Sequence, residues 1–238
     1  MASTIIPSKP KLGTIIFDGD DTLWKTQPLY DKAVNKFLDL MLKNGFDRDL
    51  VINKLKQVEA RNVKEMGLSK ERFPLSLVIV YEEFSSKNHQ DSDKKMLSRI
   101  REIGESVFNQ KAPSMKNVEM VLSKLKQKYN LLLFTAGDKE IQNKRVNDVG
   151  LANYFESIII TDQKNEVRFK QVIKSKRLKL KTTYMVGNSL HSDINPALNA
   201  GINAILLISD SWEYDKEKES DKEFRRINKL EELTRIFL

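Results

Sequence analysis

The apolar residues of this chain follow two different periods. A short β-branched run, Thr14-Ile15-Ile16-Phe17, reads as a buried strand. Between Gln27 and Phe108 the apolar positions instead recur at three- and four-residue steps, as at Tyr30, Val34, Phe37, Leu38, Met41 and Leu42, the spacing of an amphipathic helix. Further helical patterns cover Asp47–Met66, Lys70–Ser86 and Asp91–Phe108, separated by the turn-like Met66-Gly67-Leu68-Ser69 and Asn88-His89-Gln90-Asp91. Beyond Pro113 helix and strand alternate: helix Met115–Lys128, strand Asn130–Thr135, helix Lys139–Val149, strand Ser157–Thr161, helix Glu166–Lys174, strand Thr182–Val186, helix Asp193–Ala200 and strand Asn203–Ile208. Asn228–Leu238 reads as a closing helix, and Asp215–Asp221 is too charged for a core.

Strict βα alternation predicts an α/β fold with a doubly wound, Rossmann-like parallel sheet of five strands, covered on both faces. Four helices between the first two strands exceed a single crossover. They predict an inserted helical domain at 27–110 within a core made of 1–26 and 111–238, with crossings near Trp24–Gln27 and Lys111–Pro113.

Composition narrows the class. The 238 residues are 40% hydrophobic, enough for a sizeable core, and no apolar run approaches the roughly 20 residues of a membrane helix. The polar start Met1-Ala2-Ser3-Thr4, with prolines at 7 and 10, does not read as a signal peptide. A soluble cytoplasmic protein without membrane partners is expected. Zero cysteines exclude disulfides and thiol chemistry, and His89 and His191 lie in separate segments, so any metal is expected on oxygen ligands. A net charge of +8 attracts anions. The densest basic stretch, Lys170 to Lys181, has no interleaved aromatic residues to stack bases and reads as a solvated helix face, so nucleic acid is not the favoured partner. Oligomeric state is not legible.

Candidate chemistry clusters where strands end. After the first strand, Asp18, Asp20 and Asp21 crowd three carboxylates into Asp18-Gly19-Asp20-Asp21. Such crowding calls for a cation, and oxygen ligands of this kind suit Mg²⁺ beside a phosphate. The second strand ends in Thr135-Ala136-Gly137-Asp138, a hydroxyl and small residues before a helix start, where main-chain N–H groups could accept a phosphate. The third leads to Lys164 in its loop and Lys170 inside the next helix, two candidates for a neutralising cation, of which the loop residue is preferred. The fourth ends in Gly187-Asn188-Ser189-Leu190-His191-Ser192-Asp193, again a Gly turn with an acid.

These four segments resemble the motifs of the haloacid dehalogenase-like superfamily. Asp18-x-Asp20-x-Thr22 is similar to its first motif with Asp21 in the usual Gly place, and Thr135 matches the second. Lys164, followed at the right spacing by Phe169, is similar to the third, and Gly187-Asn188-x-x-x-x-Asp193 to the fourth with Asn188 replacing an acid. The resemblance implies a phosphate monoester hydrolase of the helical-cap branch, acting through an aspartyl-phosphate on a small phosphorylated metabolite or nucleotide. It implies Asp18 as nucleophile, Asp20 as acid and base, Thr135 and Lys164 as charge-stabilising groups, and phosphate binding by Gly19, Ala136, Gly137 and Lys164. Mg²⁺ would be held by Asp18, Asp20, Asp193 and Asn188. Three other readings are a 2-haloacid dehalogenase, which gains nothing from Asp20 or Asp193, a phosphoglucomutase-like phosphotransferase, and a non-catalytic phosphate-binding or regulatory protein, which would lack a helical insertion. Lys70 and Arg72, in a loop of that insertion, are expected either to meet an anionic leaving group or to lie in solvent.

Overall fold

A computed structural model describes residues 10–87, 93–209 and 218–238. Strand β1 (Thr14–Phe17) is followed by four helices, α1 (Gln27–Lys43), α2 (Arg48–Met66), α3 (Arg72–Lys87) and α4 (Lys94–Asn109). Then come α5 (Val118–Lys128), β2 (Asn130–Ala136), α6 (Lys139–Asp148), β3 (Ser157–Thr161), α7 (Glu166–Ser175), β4 (Thr183–Gly187), a π-helical turn (Leu190–Ile194), α8 (Asn195–Asn199), β5 (Asn203–Leu207), β6 (Arg225–Ile227) and α9 (Glu232–Phe237). All strands are parallel, in the order β3-β2-β1-β4-β5-β6.

Among the described residues the sheet has six strands, one more than the alternation predicts. β6 escapes notice because it is three residues long, an edge strand, and two of its residues are exposed arginines. Charge on an edge strand blocks further pairing, so its chemistry opposes the apolar signature of a buried strand. The helix expected over Asp193–Ala200 divides into the π-helical turn and α8. His89 with its expected turn, and residues 215–217 of the charged stretch, lie outside the described residues.

Two apolar layers cover the sheet, and strand side chains alternate between them. Ile15, Phe17, Leu131, Leu133 and Val186 face one layer, while Ile16, Leu132, Phe134 and Met185 face the other. The second layer includes Phe169 of α7, whose ring meets Phe134 edge-on at 5.0 Å. Tyr30 of α1 packs against Phe73 of α3 at 5.0 Å, and Phe46 of the α1–α2 connection against Phe84 of α3 at 5.7 Å. Close approach of α4 to α3 requires Gly104, where a Cβ would lie 2.6 Å from the Pro74 Cα. Asp47 and Asp93 cap α2 and α4, accepting from the N–H groups of Leu50 and Lys95, each at 2.9 Å. The segments entering and leaving the helices run side by side: the Lys25 N–H donates to the Pro113 carbonyl at 2.8 Å and the Met115 N–H to the Leu23 carbonyl at 2.9 Å. Among the described residues no helix is long and apolar enough to cross a membrane.

Candidate active site

The strand order reverses between β1 and β4, and in open α/β sheets ligands bind beyond the carboxyl ends of strands at that point. Asp18 stands there. Its N–H donates to the Val186 carbonyl at 2.9 Å, extending the pairing of β1 with β4 one residue past the strand. The chain then turns tightly, with the Leu23 N–H donating to the Gly19 carbonyl at 2.8 Å. A Cβ on Gly19 would come within 2.4 Å of the Trp24 ring, so glycine lets the indole lie over the turn. Asp21 adopts the left-handed conformation, φ 56°, that glycine would take at no cost and Asp tolerates. Its side chain supplies what glycine cannot. Asp21 Oδ1 accepts from the N–H groups of Thr26 (2.9 Å) and Gln27 (3.0 Å), closing the start of α1, and Oδ2 accepts from the Thr26 hydroxyl at 2.6 Å.

Lys164 lies between two carboxylates. Its Nζ donates to Asp18 Oδ1 and to Asp193 Oδ1. Asp193 is fully buried, and its Oδ2 accepts from the Ser189 N–H at 3.1 Å. It does not cap α8; it folds back over the end of β4 from the π-helical turn. Gly187 permits this, because a Cβ there would lie 2.3 Å from the Asp193 carboxyl carbon. Two buried acids share one buried base, so with both acids ionised the cluster is net negative. Burial raises the Asp18 pKa to about 7 against the lowering by Lys164, with Asp193 adding to the rise. For Lys164, burial disfavours the charge, but attraction to Asp18 and Asp193 outweighs it and holds the ammonium above the ordinary lysine range. Lys170, the competing candidate, pairs with Glu166 on the exposed face of α7. The other basic residues of Lys170–Lys181 are exposed too.

Asp20 is held on three sides. Its Oδ1 accepts from the Trp24 indole N–H at 2.6 Å; its Oδ2 accepts from Gln142 Nε2 at 2.9 Å and from Arg145 Nη1 at 2.6 Å. Tyr30 of α1 stands near enough to Arg145 for the two to interact electrostatically. Sequence patterning marked Tyr30 only as an apolar helix position and Trp24 only as a crossing, and none of Trp24, Tyr30, Gln142 and Arg145 as a site residue. Their only signal is that Gln142 and Arg145 stand three residues apart on one face of α6.

Thr135 Oγ1 is buried and has no hydrogen-bond partner among the described residues, and a Cβ on Gly19 would lie 3.1 Å from it. The expected anion site at the start of α6 takes a different form. The Gly137 N–H donates to the Thr161 carbonyl at 2.9 Å, and Asp138 caps α6 by accepting from the N–H groups of Glu140 (2.9 Å) and Ile141 (3.2 Å). The Gly137 N–H is thus occupied by a main-chain carbonyl, and the N-terminus of α6 already carries the Asp138 carboxylate. Asn188 ties the fourth loop to the first: its Oδ1 accepts from the Thr22 hydroxyl at 3.1 Å. A second lone pair of that oxygen is left over.

Among the described residues no three or more His, Asp and Glu side chains gather as a metal-ligand group. The donor set still fits a hard cation that keeps much of its water, since such ions bind proteins through one or two carboxylates plus substrate oxygens. Asp18 and Asp193 supply two carboxylates with one positive charge between them.

A family model described as haloacid dehalogenase-like hydrolase matches residues 12–201. The chain is 23% identical over 217 residues to N-acylneuraminate-9-phosphatase of Rattus norvegicus, covering 84% of each protein. It is 24% identical over 224 residues to glyceraldehyde 3-phosphate phosphatase of Pyrococcus furiosus, covering 90% of this chain and 86% of the relative. Among solved structures, a haloacid dehalogenase-like family hydrolase from Xanthomonas campestris superposes with a TM-score of 0.78 at 25% identity, over 94% of this chain and 91% of that one. The family match spans β1 to the end of α8 and includes all four strand-end loops, so the chain belongs to the haloacid dehalogenase-like hydrolases.

Proposed function

We propose that this hydrolase is a cytoplasmic, Mg²⁺-dependent phosphate monoester hydrolase that works through an aspartyl-phosphate on a small phosphorylated metabolite or nucleotide. The observation that carries the reading is the buried Asp18–Lys164–Asp193 cluster at the point where the strand order reverses, with the unpartnered Thr135 hydroxyl beside the same loop. A carboxylate oxygen of Asp18 attacks phosphorus, the ester P–O bond breaks, and Asp20 gives the leaving oxygen its proton. Asp20 then takes a proton from water as that water attacks the phosphorus of the aspartyl-phosphate, releasing inorganic phosphate and restoring Asp18. Lys164 and Thr135 answer charge on the equatorial oxygens. Asp18, Asp193, the Asp20 main-chain carbonyl and Asn188 would hold Mg²⁺, which supplies positive charge toward the phosphoryl oxygens.

Residues 27–110 act in this reading as a cap domain on a core of 1–26 and 111–238. The adjacent, hydrogen-bonded crossings at Leu23–Lys25 and Pro113–Met115 support it, since two neighbouring strands of chain can serve as one hinge. The relatives named as phosphatases act, by their names, on small phosphorylated compounds, which supports the substrate class. The test is phosphate release from p-nitrophenyl phosphate and a panel of phosphorylated metabolites. Loss of release in EDTA and its return with Mg²⁺ are expected. Chloride release from a 2-chloroacid with no phosphate release, or phosphate moved to another carbon of a sugar, would overturn the reading.

A further inference from the structure

An acid that delivers a proton to a leaving oxygen works only when its carboxyl group is aimed, and Asp20 sits on a loop. Its aim comes from elsewhere. Two of its three donors belong to α6, one turn apart, and α6 itself is anchored at its start by the Asp138 cap. The Gln142 amide has one possible orientation, because its Nε2 donates both to Asp20 Oδ2 and to the Ala136 carbonyl (3.1 Å), groups that only accept. Arg145 is 5% exposed and forms an ion pair with Asp20. On its other side stands Tyr30, whose ring packs edge-on against Phe73 of α3 at 5.0 Å and Phe108 of α4 at 6.5 Å. Ring packing in the helical insertion thus places Tyr30 beside Arg145, which in turn pairs with the carboxylate.

We propose that Arg145 and Gln142 are positioning residues that aim Asp20 at the leaving oxygen, and that Tyr30 couples this aim to the seating of helices α1–α4. The proposal rests on the phosphatase reading of Asp20. The guanidinium holds the carboxylate after its proton is given up, and a displacement of α1 moves the tyrosine that braces the guanidinium.

The discriminating measurement is kcat/KM on an alkyl phosphate, whose leaving group needs protonation, and on p-nitrophenyl phosphate, whose leaving group does not. Arg145→Met should lose about 10-fold more activity on the alkyl ester than on the aryl ester, and Arg145→Lys should recover part of that difference. Gln142→Leu and Tyr30→Phe should show the same selectivity to a smaller degree. In an Asp20→Asn background, Arg145→Met should change neither ester by more than about 2-fold, because residues acting as one unit are not additive. If Arg145→Met does not fold, Arg145→Lys and Gln142→Leu must carry the same leaving-group pattern. Equal losses on both esters, or full additivity with Asp20→Asn, overturn the positioning role while the phosphatase reading stands. A wild-type protein that releases phosphate from neither ester overturns both.

Discussion

Two buried ion pairs occupy the two halves of this molecule, and they differ in stoichiometry. In the helical insertion, Arg72 of α3 pairs with Glu59 of α2, and both side chains are under one-tenth exposed. Beside them the Asn62 amide donates to the Ser76 hydroxyl at 2.9 Å, and that hydroxyl donates to the Arg72 carbonyl at 2.9 Å. At the strand ends, Lys164 answers two acids and leaves an unbalanced negative charge beside an unpartnered hydroxyl. Both pairs bear the desolvation cost of buried charge. The second sets two acids against one base. Burial of charge alone therefore does not separate the two clusters; charge balance and position at the strand-order reversal do. Neither Lys70 nor Arg72 lies free in solvent: Lys70 pairs with Glu140 at the start of α6 at 2.8 Å.

The largest effect should separate the two pairs by activity. Asp18→Asn is expected to lower kcat by about 10³-fold or more on every ester, as removal of a nucleophile does, while thermal unfolding still shows a folded protein. Residual turnover near the wild-type value would remove Asp18 from the chemistry.

Breaking the structural pair should do the reverse. Arg72→Met leaves the Glu59 carboxylate buried without its ion-pair partner and should cost about 3–5 kcal/mol in urea unfolding, whereas Arg72→Met with Glu59→Gln should recover much of it. The surviving folded fraction should keep its kcat on acetyl phosphate. A collapse of kcat in proportion to stability would join the two clusters into one functional unit.

Charge imbalance also predicts a stability readout. Mg²⁺ at about 100 times its dissociation constant should stabilise the wild type by about 2.7 kcal/mol, and it should lose this effect in Asp193→Asn. An equal shift of the unfolding transition in both proteins would place the cation elsewhere.

The smallest effect concerns Asp21, which lies outside both clusters. Asp21→Ala loses the interactions that close the start of α1 and places a residue poorly suited to φ 56° in the turn, so about 2–3 kcal/mol is expected; Asp21→Gly keeps the conformation and should cost only about 1 kcal/mol. Equal costs would mean that the backbone conformation is not what Asp21 provides.

The alternation of periods along the chain was enough to name the parallel sheet, the helical insertion and the four strand-end loops, because a buried strand and an amphipathic helix each impose a repeat that survives in one dimension. The same loops carried Asp18, Asp20, Thr135, Lys164 and Asp193, since doubly wound folds bring strand ends together. The sequence already preferred Lys164 to Lys170, and only the folded chain showed the physical difference between them, one buried between two carboxylates and the other exposed beside Glu166. Tertiary structure alone revealed Arg145 and Gln142, which look like solvent-facing residues of a polar helix until α6 is laid against the first loop. It likewise turned the Gly137 N–H toward Thr161 and supplied β6 from two arginines and an isoleucine. Periodicity records which residues leave water, but partners distant in sequence decide what a buried polar group meets, and no local pattern encodes them.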